Sequence, residues 1–121
     1  MQGDFATLRA AALDFDEEVD PAELRKVIDC LEAKFCRLVD RARQNGTHLL
    51  TGQSPVSLVS RSCHMTPSSA SDRLCVGEEL RALPRIEQAV SSGEIGYQPA
   101  SVICHLSHDL GEKREQIDEE L

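Results

Sequence analysis

Aromatic side chains are almost missing: three Phe, one Tyr and no Trp in 121 residues. A core built from this chain must therefore be aliphatic, which favours helix packed on helix over an aromatic-rich sandwich. No apolar run is long enough to span a membrane, and no signal-peptide pattern opens the chain. The expected setting is the reducing cytoplasm. The five cysteines (Cys30, Cys36, Cys63, Cys75, Cys104) form no closely spaced even framework, so they read as small core residues rather than disulfides. An excess of basic charge is also lacking. The formal net charge is −8; residues 1–54 carry −3, residues 55–83 balance, and residues 84–121 carry −5. That argues against strong autonomous DNA binding, which needs a basic face. Gly-rich phosphate loops, CxxC pairs and sustained β-alternation are absent as well, and no catalytic site, metal site or cofactor is expected.

What is present is helical. The length suits a single domain over 1–121, able to bury roughly two-thirds of its unfolded surface. Residues 4–15 read as a short helix, followed by a solvated acidic link from Asp14 to Asp20. Asp20-Pro21 then forms a strong helix start: Asp20 accepts from an unpaired amide, and Pro21 lacks the N–H that would go unpaired. Over the long helix of 20–45, Leu24, Ile28, Leu31, Phe35, Leu38 and Ala42 recur at spacings of 4, 3, 4, 3 and 4, with Val27 and Val39 widening the seam. A seam this regular must pack along another helix, either inside the chain or across a dimer. Asn45-Gly46 is the stop, and 46–53 reads as a loop.

Ser54-Pro55 and Thr66-Pro67 repeat the cap-plus-proline start and bound a helix-turn-helix-like pair over 54–83. Val59, Ser60, Cys63, Met65, Thr66, Ala70 and Leu74 fill the positions such a corner needs. Ser60 and Ala70 are small enough for close crossing, and His64 stands where the turn usually has Gly. If the second helix entered a major groove, Ser68, Ser69 and Arg73 would face DNA, with Arg61 on the backbone; otherwise the pair is a structural corner. Trailing helices follow over 84–110: one from Leu83-Pro84 to Gly93, another over Ala100 to Leu110. A last helical pattern, EKREQIDEEL, runs off the end and suggests a fragment of a longer protein. Its carboxylates read as a solvated face. Cys104 and His108 stand one turn apart, but two ligands do not make a structural zinc site. Cys63 beside His64 is no nucleophile pair, because sequence neighbours do not face each other on a helix. The fold class expected is all-α: a multi-helix orthogonal bundle with one long heptad-patterned helix and a central helix-turn-helix-like corner.

The segment from Ser57 to Leu106, and most specifically LRALPRIEQAVSSGEIGYQPASVI, resembles a helical domain family of unknown function, common in actinobacteria and some other bacteria. That domain sits N-terminal to HNH endonuclease domains; the likeness spans residues 20 to 110. In pattern it also resembles the DNA-binding middle of ParB-type partition proteins, where a helix-turn-helix precedes "L-P" and a Gly-led turn. The first resemblance implies a non-catalytic accessory domain that positions a nuclease on double-stranded DNA, with a C-terminal nuclease domain in the parent chain, since the HNH motif itself is not in these residues. The alternative is a dimerisation or protein-interaction module that uses the Leu24–Ala42 seam and makes no direct nucleic-acid contact.

Overall fold

The structure is a computed structural model that describes residues 4–15 and 18–111. Within them the chain is all-α: six helices pack as a bundle, and no strand occurs among the described residues. They are α1 (Phe5–Leu13), α2 (Pro21–Gln44), α3 (Pro55–Ser62), α4 (Pro67–Ala82), α5 (Pro84–Ser92) and α6 (Tyr97–Leu110). None is long and apolar enough to cross a membrane. The C-terminal pattern EKREQIDEEL lies outside the described residues.

The helix starts follow their chemistry. Asp20 accepts from the Ala22 amide, Ser54 from Ser57 and Thr66 from Ser69, each with proline in the first turn. Asp4 caps α1 by accepting from Ala6 and Thr7. At the stops, Gly46 and Gly93 adopt left-handed φ of 73° and 84°, the conformation that ends a helix at least cost in glycine. Two boundaries differ from expectation. The 46–53 loop contains a 3₁₀ turn at Thr47–Leu50, and α6 begins at Tyr97 rather than Ala100, because Pro99 is tolerated inside a first turn.

The α3–α4 corner matches its sequence pattern. Val59, Ala70 and Leu74 are buried together, with Met65, Phe35 and Val56 against them. The turn closes through the Met65 amide donating to the Ser60 carbonyl at 3.0 Å and the Ser60 hydroxyl donating to the Met65 carbonyl at 2.6 Å. His64 takes the left-handed conformation, φ 55°, at the position where glycine is usual.

The main core lies elsewhere, between α2, α4, α5 and α6: Ala33, Cys36, Val76, Leu80, Leu83, Ile86, Val90, Tyr97, Ala100 and Cys104. Here α2 departs from expectation. Its inward face is Asp29, Ala33, Cys36, Val39 and Asp40, a second series spaced 4, 3 and 4 along Asp29, Ala33, Cys36 and Asp40. Ile28, Leu31 and Leu38 of the expected seam are 42%, 42% and 52% exposed, and Val27 is 49% exposed. Leu24, Phe35 and Ala42 are half-buried. The seam therefore splits: Phe35 and Val39 pack with the α3–α4 corner, while Val27, Ile28, Leu31 and Leu38 face out. The cysteines divide too. Cys36 and Cys104 are buried, Cys30 and Cys75 half-buried, and Cys63 exposed, so only two of the five are core residues.

Small residues set the inward phase. A Cβ on Gly77 of α4 would overlap the Cys36 carbonyl of α2 and stand 2.9 Å from the Asp40 Cβ. The two helices thus meet backbone to backbone, an approach only glycine permits. Alanine in a helix interior normally gains about 1 kcal/mol over glycine. Here overpacking of roughly 3 kcal/mol outweighs that gain, so Gly77→Ala is expected to lower stability by about 2 kcal/mol in denaturant unfolding. An unchanged or raised midpoint would contradict the close approach.

Candidate functional site

Of the residues placed at a DNA surface by sequence, Arg61 and Ser68 are exposed beside the corner, while Ser69 is half-buried and its amide donates to the Thr66 hydroxyl. Arg73 is turned inward. Its guanidinium donates to Glu32 of α2 at 2.5 and 3.2 Å and to Asp72 at 3.3 Å, and lies 5.1 Å from the centre of the Tyr97 ring. A cation held by two carboxylates and a ring face is committed within the bundle. The structure therefore does not bring Arg73 to the surface formed by Arg61 and Ser68.

Asp72, next to it, is the hub of the polar contacts. It accepts from the Tyr97 hydroxyl at 2.7 Å and the Ser101 hydroxyl at 2.6 Å, and its Oδ1 lies 2.7 Å from His105 Nε2. Tyr97, Ser101 and His105 recur every four residues on α6, so they form one stripe aimed at α4. The signal was present in that spacing, but isolated serine and histidine residues look the same on a solvated face. Burial pushes the Asp72 carboxyl up, yet the hydrogen bonds from Ser101, Tyr97 and His105 and the Arg73 charge outweigh it and hold the carboxyl below its usual range. Burial, with the neighbouring carboxylate, raises the Tyr97 hydroxyl well above its ordinary value, so it stays a donor. A cavity of about 220 Å³ lined by Arg25, Glu32, Asp72, Arg73, Tyr97, Gln98 and Ser101 opens over the hub.

One turn along α4, Cys75 Sγ lies 3.6 Å from His105 Nδ1. Cys75, His105 and Asp72 thus have the connectivity of a nucleophile, a base and an orienting carboxylate. Their setting works against that chemistry. Burial, then the charges of Glu79, Asp72, Glu78 and Asp109, push the Cys75 thiol up to about 11, which keeps it protonated near neutral pH. All three stand within helices, where backbone amides are engaged in helical hydrogen bonds. What the group can do is clamp α6 to α4.

A second carboxylate–histidine contact follows further along. The fully buried Glu79 accepts from the Ser107 hydroxyl at 2.7 Å, and its other oxygen lies 3.6 Å from His108 Nδ1. Ligand atoms of Glu78, Glu79 and His108 lie within 4.8 Å of one another, so these three could hold a cation. Arg43 already stands 3.5 Å from Glu78. Cys104 is enclosed in the core.

The remaining feature is a surface. Between α2 and α5 runs a groove of about 340 Å³ whose lining includes Lys34, Arg37, Leu38, Arg41 and Glu87, with Arg37 ion-paired to Glu87. It borders the outward apolar stripe. Helix α1 buries no residue; Phe5 is 77% and Leu13 82% exposed.

No protein-family model, curated protein or solved structure matches this chain.

The Asp72 hub gives acid stability a sign. Its folded pKa is depressed, so its contribution is present above the unfolded value near pH 4 and is lost as pH falls through the lower folded value. Thermal melts from pH 6 to 2 are expected to drop below about pH 4, and Asp72→Asn is expected to flatten part of that drop while lowering stability at pH 6. An Asp72→Asn profile parallel to wild type would remove the hub from the explanation.

Proposed function

We propose that this chain is a helical interaction module that docks through the outward stripe of α2, and that its α4–α6 polar seam is structural rather than catalytic. One observation carries the reading. The longest helix turns Asp29 and Asp40 inward and leaves Val27, Ile28, Leu31 and Leu38 at 42–52% exposure along one line. Burying carboxylates costs free energy unless they are paired. Here Arg25 lies 2.9 Å from Asp29, and Arg43 and Arg81 lie 2.6 and 3.2 Å from Asp40. A contiguous apolar stripe rimmed by polar residues marks a contact surface. The five cysteines are free, in keeping with a cytoplasmic setting. The test is retention on a hydrophobic-interaction column together with binding of an apolar fluorescent dye. Leu31→Asp and Leu38→Asp are expected to reduce both while keeping the helical spectrum, and unchanged retention and dye binding would contradict the docking face.

A second reading keeps the accessory role beside an HNH nuclease, with the α3–α4 corner touching duplex DNA. It is favoured by the well-formed corner and by the exposure of Arg61, His64 and Ser68 at its turn. Under this reading Arg61, not Arg73, carries the phosphate contact. Titration with duplex DNA at two salt concentrations separates the readings: salt-sensitive binding that weakens in Arg61→Ala supports the second, and no binding at low salt supports the first.

A further inference from the structure

The occupant of the α2 stripe can be argued from the helix itself. We infer that it is a second copy of the same helix, running antiparallel about a two-fold axis at Leu31. This rests on the docking reading above.

The first argument is register. In an antiparallel pair centred on Leu31, Leu24 of one copy meets Leu38 of the other and Leu31 meets itself, while Phe35 stays packed against its own α3–α4 corner. Leu24 and Leu38 are each seven residues from the axis, about 10 Å along a helix. Half-buried Leu24 with exposed Leu31 and Leu38 thus forms a self-complementary line, which is what a closed two-fold contact requires.

The second argument is charge. The approach to α2 is acidic, with Asp14 and Asp20 exposed, while Glu23 of the first turn is paired to Lys26 at 3.3 Å. The later half is basic, with Lys34 and Arg41 exposed and lining the groove beside Leu38. Antiparallel pairing sets Asp20 of one copy beside Arg41 of the other, at both ends of the contact. Parallel pairing would set acid on acid and base on base. The helix dipoles favour the antiparallel arrangement too.

The third argument is size. A helix of 24 residues is about 36 Å long and 10–12 Å across. Paired along that length, the two faces cover roughly 800 Å² in total, the size of a weak, reversible contact rather than a permanent one. The dimer should therefore depend on concentration and, through its rim charges, weaken with salt.

The experiment joins sedimentation equilibrium with site-directed cross-linking of the whole chain, in a Cys30→Ser, Cys63→Ser background. Antiparallel helix axes stand about 8–10 Å apart, a distance that a short bifunctional maleimide spans. The expected result is a reversible dimer, weakened by salt, in which Leu31→Cys cross-links to itself. Leu24→Cys is expected to cross-link only when mixed with Leu38→Cys, and a half-exposed position tolerates these substitutions without loss of fold. Self-cross-linking of Leu24→Cys would show parallel pairing and overturn the inference. A monomer at all concentrations would overturn it as well. In that case dye binding that is still lost in Leu31→Asp would leave the docking face standing with another occupant, whereas dye binding unaffected by Leu31→Asp would remove both.

Discussion

The architecture turns on the contact between Gly77 and the Cys36 carbonyl. Because α4 has no side chain there, α2 can lie directly on it, and that closeness fixes which side of α2 faces inward. Once Cys36 is against Gly77, Ala33 and Asp40, one turn to either side, must also face the core. The leucines, offset from these by about a third of a turn or more, are left outside. The most apolar face of the longest helix is thus excluded from the core by the backbone separation of two helices. The core instead takes its bulk from Val76 and Leu80 of α4, Leu83 at the α4–α5 junction, Ile86 and Val90 of α5, and Tyr97, Ala100 and Cys104 of α6.

Placing a small, partly acidic face inward has consequences that run through the polar contacts. Asp40 needs Arg43 and Arg81, Asp29 needs Arg25, and Glu32 takes Arg73. Arg73 in turn sits by Tyr97 and Asp72, which collects the Ser101 and His105 contacts from α6. One chain of polar contacts thus runs from Glu32 of α2 through Arg73 and Asp72 of α4 to Tyr97, Ser101 and His105 of α6, while Asp29 and Asp40 are paired separately. Such a network specifies a single packing when it is fully satisfied. It also accounts for the inward turn of Arg73, near the start of the corner's second helix, onto Glu32 and Asp72.

Much of the fold was legible in the sequence because local chemistry decides it. Asp20-Pro21, Ser54-Pro55 and Thr66-Pro67 each place an acceptor side chain before a residue without an N–H, and each starts a helix. Val59, Ala70 and Leu74 meet as the corner pattern requires. The phase of α2 was not legible, for a physical reason. Two series with the same 4-3-4 spacing run along it, one leucine-rich and one of Asp29, Ala33, Cys36 and Asp40, and hydropathy favours the first. Only the partner decides, and Gly77 lies more than thirty residues away. The Asp72 hub was hidden likewise: its members lie on one face of each helix, but nothing local distinguishes a clamped histidine from a solvated one.

The inverted phase of α2 is most directly tested by comparing one acidic substitution on each of its faces. Leu31→Asp and Ala33→Asp differ by two residues and point to opposite sides. Thermal melts followed by helical signal are expected to show Leu31→Asp folded and melting cooperatively, and Ala33→Asp, with a charge forced into the α2–α4 contact, unfolded or nearly so. The reverse order, with Leu31→Asp unfolded and Ala33→Asp stable, would contradict the structure's assignment of inside and outside.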